Sequence, residues 1–285
     1  MELKIQNLYK FYRNKEALKN INLTLRCGTY GLLGENGAGK STLMRILTTV
    51  DFASKGSIQF NGSDIIELDE KYREKIGYMP QDFNVYPSFT AKDFLEYMGA
   101  LKGITPEVLK QKIPQVLEFV NLSEVANKKV SAFSGGMKRR IGIAQAILND
   151  PKILILDEPT AGLDPKERIR FANIISSMSK DKIVILSTHI VSDIEAIANN
   201  LIVIKSGEIL QSGEINLMVS SVAGKIWETV VEQTIFEELS TARQIIRRKQ
   251  ETELIRVRYA GEAYDGIDSR PLEPNLEDYY MYVWR

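Results

Sequence analysis

Leu32-Leu33-Gly34-Glu35-Asn36-Gly37-Ala38-Gly39-Lys40-Ser41-Thr42 has the spacing G-x-x-x-x-G-K-[ST] of a phosphate-cradling loop. Its flanks fit that reading. Thr29-Tyr30-Gly31-Leu32-Leu33 is a short apolar run bounded by glycines, as in a buried strand. Leu43, Ile46, Leu47 and Val50 follow at helical spacing. A strand, loop and helix in that order aim backbone N–H groups and a helix N-terminus at one point, which attracts an anion. Gly34, Gly37 and Gly39 place no Cβ between the backbone and the phosphates. Lys40 is placed to reach β- and γ-phosphates, and the Ser41 hydroxyl to ligate Mg²⁺.

The rest of the composition narrows the class. The chain has 285 residues, enough for one large domain or one domain with a small appendage. Lys plus Arg and Asp plus Glu balance at 37 each, so bulk charge gives no sign of nucleic-acid or anionic-membrane binding. One cysteine, Cys27, excludes an intramolecular disulfide and a cysteine metal cluster. The N-terminus lacks the apolar core of a signal peptide, and runs such as Ile153–Leu156 are too short to span a bilayer. A soluble, cytoplasmic chain is expected, with any membrane work done through a partner.

Along the chain, residues 3 to 25 alternate as strands do. Phe11 and Tyr12 beside a polar turn fit either a nucleobase platform or a sheet edge packed on the core; on the residues alone, packing is favoured. Strands are expected at Gly56–Phe60, before an Asn61-Gly62 turn, and at Ile76–Met79. Apolar residues at helical spacing from about 90 to 126 read as a helical insertion. Ser134-Gly135-Gly136 opens a long helix ending near Asn149. Ile153–Leu156, Ile183–Leu186 and Leu201–Ile204 are apolar runs separated by helical stretches, the pattern of a mostly parallel sheet. Composition shifts after about Leu217, where strands at Lys225–Val231, Ala242–Arg248 and Thr252–Tyr259 and helices near Thr234–Leu239 and Leu276–Val283 suggest a small mixed domain.

Ligands of open parallel sheets bind beyond the strands' C-terminal ends. There the sequence places Asp157-Glu158 and His189 as well as the phosphate loop. On an extended segment neighbouring side chains point oppositely, so Asp157 would face Mg²⁺ and Glu158 an attacking water, as general base. His189, the only histidine, would bond a γ-phosphate. Gln81 is either a ligand to Mg²⁺ or water, or a plain turn residue after Pro80. Ser134 caps a helix carrying Lys138, Arg139 and Arg140, which is either an ordinary capped helix or a second anion site. Two phosphate-seeking helix starts with one phosphate loop would be reconciled by a head-to-tail dimer.

Taken together and in this order, the motifs resemble those of the nucleotide-binding subunit of ATP-binding-cassette (ABC) transporters. Gly34–Thr42 is similar to its Walker A motif, Ser134–Lys138 to its signature, Ile153–Glu158 to its Walker B motif, Ala161–Asp164 to its D-loop, Gln81 to its Q-loop and His189 to its H-loop. Tyr12 falls where that family stacks an aromatic ring on adenine. The resemblance covers about residues 1–215 and implies a P-loop α/β fold. That fold has a mostly parallel core sheet, an antiparallel β subdomain and a helical subdomain at about 85–150. The ATPase domain would span 1–216 and a small α+β accessory domain 217–285.

The resemblance also implies ATP and Mg²⁺ as cofactors. ATP would be bound by Tyr12, Gly34, Glu35, Asn36, Gly37, Ala38, Gly39, Lys40, Ser41, Thr42 and Gln81, and Mg²⁺ by Ser41, Gln81 and Asp157. Glu158, His189 and Lys40 would be catalytic, Ser134, Gly135 and Gly136 would serve the opposite protomer's nucleotide, and Asp164 would be the D-loop residue. The implied partners are an integral-membrane permease, contacted through about Gln81–Leu122, and a second ATPase subunit, identical or not; nucleic acid is not among them. Phe133 and Met137 replace the Leu and Gln of the commonest signature, and Met137 cannot make the glutamine's amide bond. The Ser-Gly-Gly-Met-Lys form and the tail Pro274–Tyr280 resemble the branch exporting drugs, peptides, antibiotics or lipids. The alternative is a non-transport ABC ATPase acting on DNA or ribosomes. Such relatives usually carry coiled-coil arms, zinc cysteines or two cassettes, and this sequence has none of these.

Overall fold

The computed structural model describes residues 1–83 and 85–284. Alternation makes β1 (Glu2–Tyr12) and β2 (Lys15–Arg26) two-faced: Leu3, Ile5 and Leu8 of one and Ile21, Leu23 and Leu25 of the other are buried. They pair antiparallel, Leu3 opposite Leu25 and Ile5 opposite Leu23. β3 (Gly28–Leu33) leads into the phosphate loop and α1 (Lys40–Leu47). β4 (Lys55–Phe60) pairs with β1 and, through a turn at Asn61 (φ 50°) and Gly62 (φ 86°), with β5 (Ser63–Asp64). Two positive φ values in succession are what an Asn-Gly hairpin turn supplies. The resulting antiparallel sheet has the order β2-β1-β4-β5. Two single-turn helices, α2 (Ile65–Leu68) and α3 (Glu70–Arg73), then lead to β6 (Ile76–Met79).

Among the described residues, three α-helices stand between β6 and β7 (Ile153–Asp157): α4 (Ala91–Leu101), α5 (Pro106–Phe119) and α6 (Gly135–Ile147). α4 begins with a Thr90/Asp93 capping box, and Pro106 occupies the first turn of α5, where its missing N–H costs nothing. α7 (Pro165–Met178), β8 (Ile183–Thr188), α8 (Val191–Ile197), β9 (Asn200–Lys205) and β10 (Glu208–Glu214) follow. The main sheet has the order β10-β9-β3-β8-β7-β6, with β9, β3, β8, β7 and β6 mutually parallel.

The unbroken apolar runs have a clear cause. Leu154, Leu156, Val184 and Leu186 enter a core shared with the inserted helices, α7 and α8. Their alternate neighbours Ile153, Ile155, Ile183 and Ile185 enter a second core shared with α1 and the antiparallel sheet. Both faces are therefore buried, and each such side chain contributes about 1.5–3 kcal/mol. The strands' C-terminal ends, where the apolar runs stop, lie at one edge of the sheet.

The chain divides into two compact units, Met1–Ser212 and Gly213–Arg285, four residues before the expected boundary at 216. The second contains α9 (Ile215–Ser220), β11 (Ile226–Val231), α10 (Gln233–Ala242), β12 (Gln244–Glu251), β13 (Leu254–Ala260), β14 (Ser269–Pro271) and α11 (Leu276–Val283). Its antiparallel sheet has the order β12-β13-β11-β14, over a core that includes Leu239, Ile255, Val257 and Tyr259. β14 is absent from the sequence reading because Ser-Arg-Pro offers neither length nor alternation. The tail motif has a structural use: Asn275 and Asp278 form the capping box of α11, and buried Asp278 is paired with Arg258.

Candidate active site

The phosphate loop closes tightly on its neighbours. Gly39, at the start of α1, has φ 112°, and a Cβ there would lie 2.8 Å from the Ala17 carbonyl oxygen. A Cβ on Gly34 would lie 2.3 Å from the Ile204 carbonyl oxygen. The glycines at 34 and 39 are therefore demanded by the surrounding backbone as well as by a ligand. Lys40 is 6% exposed, and its Nζ donates to the carbonyls of Gly34 (2.6 Å) and Glu35 (3.0 Å). Burial lowers its pKa, against the opposing pull of the Glu158 and Asp157 carboxylates. Glu35, Asn36 and Ser41 are exposed and Ala38 is buried. Leu43 N–H bonds Gly39 O at 2.9 Å, which leaves the amides of Lys40 to Thr42 without an acceptor earlier in the helix.

Asp157 ends β7 and is 3% exposed, with one carboxylate oxygen accepting from the Ser187 hydroxyl at 2.5 Å. Ser187 Oγ in turn accepts from Glu158 N–H at 2.9 Å. One hydroxyl thus bridges β8 to both acidic positions. Glu158 is 5% exposed, and its carboxylate lies 3.1–3.2 Å from His189 Nδ1. Its φ of 48° corrects the sequence argument: Glu158 stands just past the strand in a left-handed conformation, so strand alternation does not set its direction.

Tyr12, Asn36, Gly37, Gly39, Lys40, Ser41, Thr42, Gln81 and Glu158 line one cavity of about 450 Å³. Lys15 and Ala17 line it too, and no sequence signal marked them. Phe11 and Tyr12 are 39% and 42% exposed, which overturns their reading as core-packed aromatics; β1 carries them beyond the apolar core. Of the two, only Tyr12 lines the cavity. Gln81 is exposed, and its backbone carbonyl accepts from Arg139 at 3.0 Å.

Ser134, Gly135, Gly136 and Asp164 lie outside this cavity. The Ser134 hydroxyl accepts from Met137 N–H at 3.2 Å, capping α6, and Asp164 accepts from Glu167 N–H at 3.0 Å, capping α7. Ser134 and Gly135 are exposed, whereas Gly136 packs against Glu167. The cations of α6 are partly committed: Arg140 donates to the Val120 and Asn121 carbonyls and pairs with Glu167 at 3.2 Å. Phe133 is 5% exposed and belongs to the helical core, against which Met137 also packs. The two departures from the commonest signature are thus apolar packing residues.

Of the expected cation ligands, Ser41 (hydroxyl) and Gln81 (amide) line the cavity, while Asp157 (carboxylate) is not among its lining residues. Among the described residues no group of three or more His, Cys, Asp or Glu forms a metal cage. A sparse all-oxygen set fits Mg²⁺, which keeps waters and substrate phosphates in its shell. No helix among the described residues is long and apolar enough to cross a membrane.

The ABC transporter family profile matches residues 18–161. The ABC transporter ATP-binding protein YxlF of Bacillus subtilis is 40% identical over 214 residues, covering 75% of this chain and 71% of the relative. The linearmycin resistance ATP-binding protein LnrL of the same organism is 34% identical over 235 residues, covering 82% and 75%. A solved dimeric ATP-binding cassette in a post-hydrolysis state, bound to ADP and Pi, superposes with a TM-score of 0.67 at 28% identity, covering 74% of this chain and 98% of that one.

Proposed function

We propose, from the premise that this chain belongs to the ABC transporter family as an ATP-hydrolysing, ATP-binding subunit, that it powers export through a separate integral-membrane permease. The reading of export is supported by the likeness to a linearmycin resistance protein and by the Ser-Gly-Gly-Met-Lys form at 134–138. Residues 1–216 form the ATPase domain in this reading, with 217–285 an accessory domain. The permease contacts the segment from Gln81 to about Leu122, which places the chain on the cytoplasmic face of the membrane.

The loop amides and Lys40 hold the β- and γ-phosphates, and Tyr12 takes the adenine. Ser41, Asp157 and Gln81 hold Mg²⁺, which when bound neutralises phosphate charge. Glu158 takes a proton from the attacking water, and His189 bonds both Glu158 and the γ-phosphate. Ser134, Gly135 and Gly136 complete the nucleotide site of a second ATPase subunit, identical or not, and Asp164 is the D-loop residue.

One observation carries hydrolysis rather than mere binding. The buried Glu158, which lines the same cavity as Lys40 and Ser41, is bonded by His189, the chain's one histidine. A base held beside the phosphates is what water attack requires. Glu158→Gln is therefore expected to keep ATP affinity, lower turnover by about 10²–10⁴-fold and accumulate an ATP-bound dimer in size-exclusion chromatography. Wild-type turnover in this variant would overturn the base assignment. Capture of the chain from native membranes is expected to bring down a multi-span protein; ribosomes or DNA instead would overturn the transport reading.

A further inference from the structure

The strand β1 ends in two alternating pairs. Tyr9 and Phe11 stack on one side, ring centroids 6.2 Å apart, while Lys10 and Tyr12 share the other. Lys10 Nζ sits over the Tyr12 ring, 4.7 Å from its centroid. The same ammonium donates to Asp51 Oδ1 at 2.5 Å and to the Phe52 carbonyl at 2.7 Å. The Tyr12 hydroxyl donates to the other carboxylate oxygen of Asp51. Phe52 N–H closes the set with a 2.7 Å bond to Asp51 Oδ1. Lys10 and Asp51 side chains are only 12% and 18% exposed, although Tyr12 itself is 42% exposed. Burial acts to raise the Asp51 pKa, but the Lys10 ammonium, the Tyr12 hydroxyl and the Phe52 N–H outweigh it and hold the carboxyl at about 2. The pair is thus a fixed, charged strap behind an exposed ring.

An exposed aromatic side chain on a strand end is normally free to change rotamer, and ordering it on ligand binding costs affinity. Here the hydroxyl is tied down and one face is covered by a cation. We propose that Asp51 and Lys10 are positioning residues for the nucleobase: they fix Tyr12 before ATP arrives, and leave the ring face opposite Lys10 as the stacking surface. This rests on the reading of Tyr12 as the adenine platform. The ammonium also draws on the ring's π density, so the strap sets the ring's electronics as well as its direction.

The test separates base from phosphate. Equilibrium binding of Mg·ATP and of Mg·tripolyphosphate, which has no base, is measured on the whole chain, together with steady-state ATPase rates. Tyr12→Phe cuts the tether and keeps the Lys10–Asp51 pair intact, so it guards against a variant that fails to fold. Tyr12→Phe and Asp51→Ala are each expected to weaken ATP about three- to tenfold, raising KM with kcat unchanged and tripolyphosphate affinity untouched. Tyr12→Ala is expected to cost about tenfold or more, after which Asp51→Ala adds nothing. Unchanged ATP affinity in Tyr12→Phe and Asp51→Ala would overturn the positioning role alone. An equal loss for tripolyphosphate would show a general structural defect and overturn it too. Wild-type affinity for ATP in Tyr12→Ala would instead refute the adenine platform on which the proposal rests.

Discussion

Ser187→Ala tests whether one hydroxyl organises both acidic positions. Ser187 is fully buried; its Oγ donates to Asp157 and accepts from the Glu158 N–H. Alanine deletes both bonds and leaves a carboxylate oxygen and a backbone N–H in a buried setting. An orphaned buried polar group costs about 1–3 kcal/mol, with the charged acceptor at the upper end. The expected loss is therefore about 4–6 kcal/mol, well beyond the roughly 0.5 kcal/mol of an indifferent substitution. Turnover is expected to fall at least about tenfold, because Asp157 and Glu158 would lose the bridge that fixes their spacing. Stability is read by urea titration followed in the far-ultraviolet circular dichroism, since both tryptophans, Trp227 and Trp284, lie in the C-terminal unit. A loss below about 0.5 kcal/mol would refute the bridging role. A large loss with wild-type kcat would refute its link to catalysis.

Two further outcomes follow from single contacts. Gly39→Ala forces a Cβ against the Ala17 carbonyl at φ 112°, and is expected to cost about 2 kcal/mol or more and abolish measurable ATP binding; wild-type affinity by calorimetry would refute the steric argument. Burial lowers the Lys102 pKa to about 8, although its Nζ donates to Asn149 at 2.8 Å. Because the folded pKa lies below the unfolded value of roughly 10.4, the native chain binds fewer protons between them, and stability rises with pH across that window. Lys102→Met is expected to flatten the urea midpoint against pH from about 8 to 10, and a profile parallel to wild type would count against the shift.

The main sheet was legible because β7 and β8 feed alternate residues into two separate cores, which writes unbroken apolar runs into the sequence. Polar residues follow those runs, Asp157 after β7's apolar stretch and Ser187-Thr188-His189 after Ile183–Leu186, and they are where the sequence pointed for the chemistry. What escaped was decided by the fold around it. On the residues alone Tyr12 looked like a packing residue because strand aromatics usually pack; the family resemblance pointed it at adenine instead, and the reach of β1 past the core is what exposes it. The left-handed φ of Glu158 is unusual for a residue with a Cβ, and no local pattern announces it. Ser187 carried a faint signal as the polar residue after Ile183–Leu186, but a serine at a strand end is too ordinary to stand out.

The first turns of α6 connect elements that the sequence kept far apart. Ser134 and Gly135 present the exposed helix start, Arg139 holds the Gln81 carbonyl, and Arg140 holds the Val120 and Asn121 carbonyls and Glu167. Gln81 lines the cavity of Lys40 and Glu158, and its carbonyl is held by Arg139 of the same helix that carries Ser134–Gly136. Phe133 and Met137 anchor that helix start in the apolar core of the insertion. The motif therefore reads as two interleaved sets. Ser134, Gly135 and Gly136 form the capped helix start, while the flanking residues, including the two that depart from the commonest signature, fasten it to the surrounding fold. Phe133 and Met137 take part in seating the helix and leave its Ser-Gly-Gly start in place.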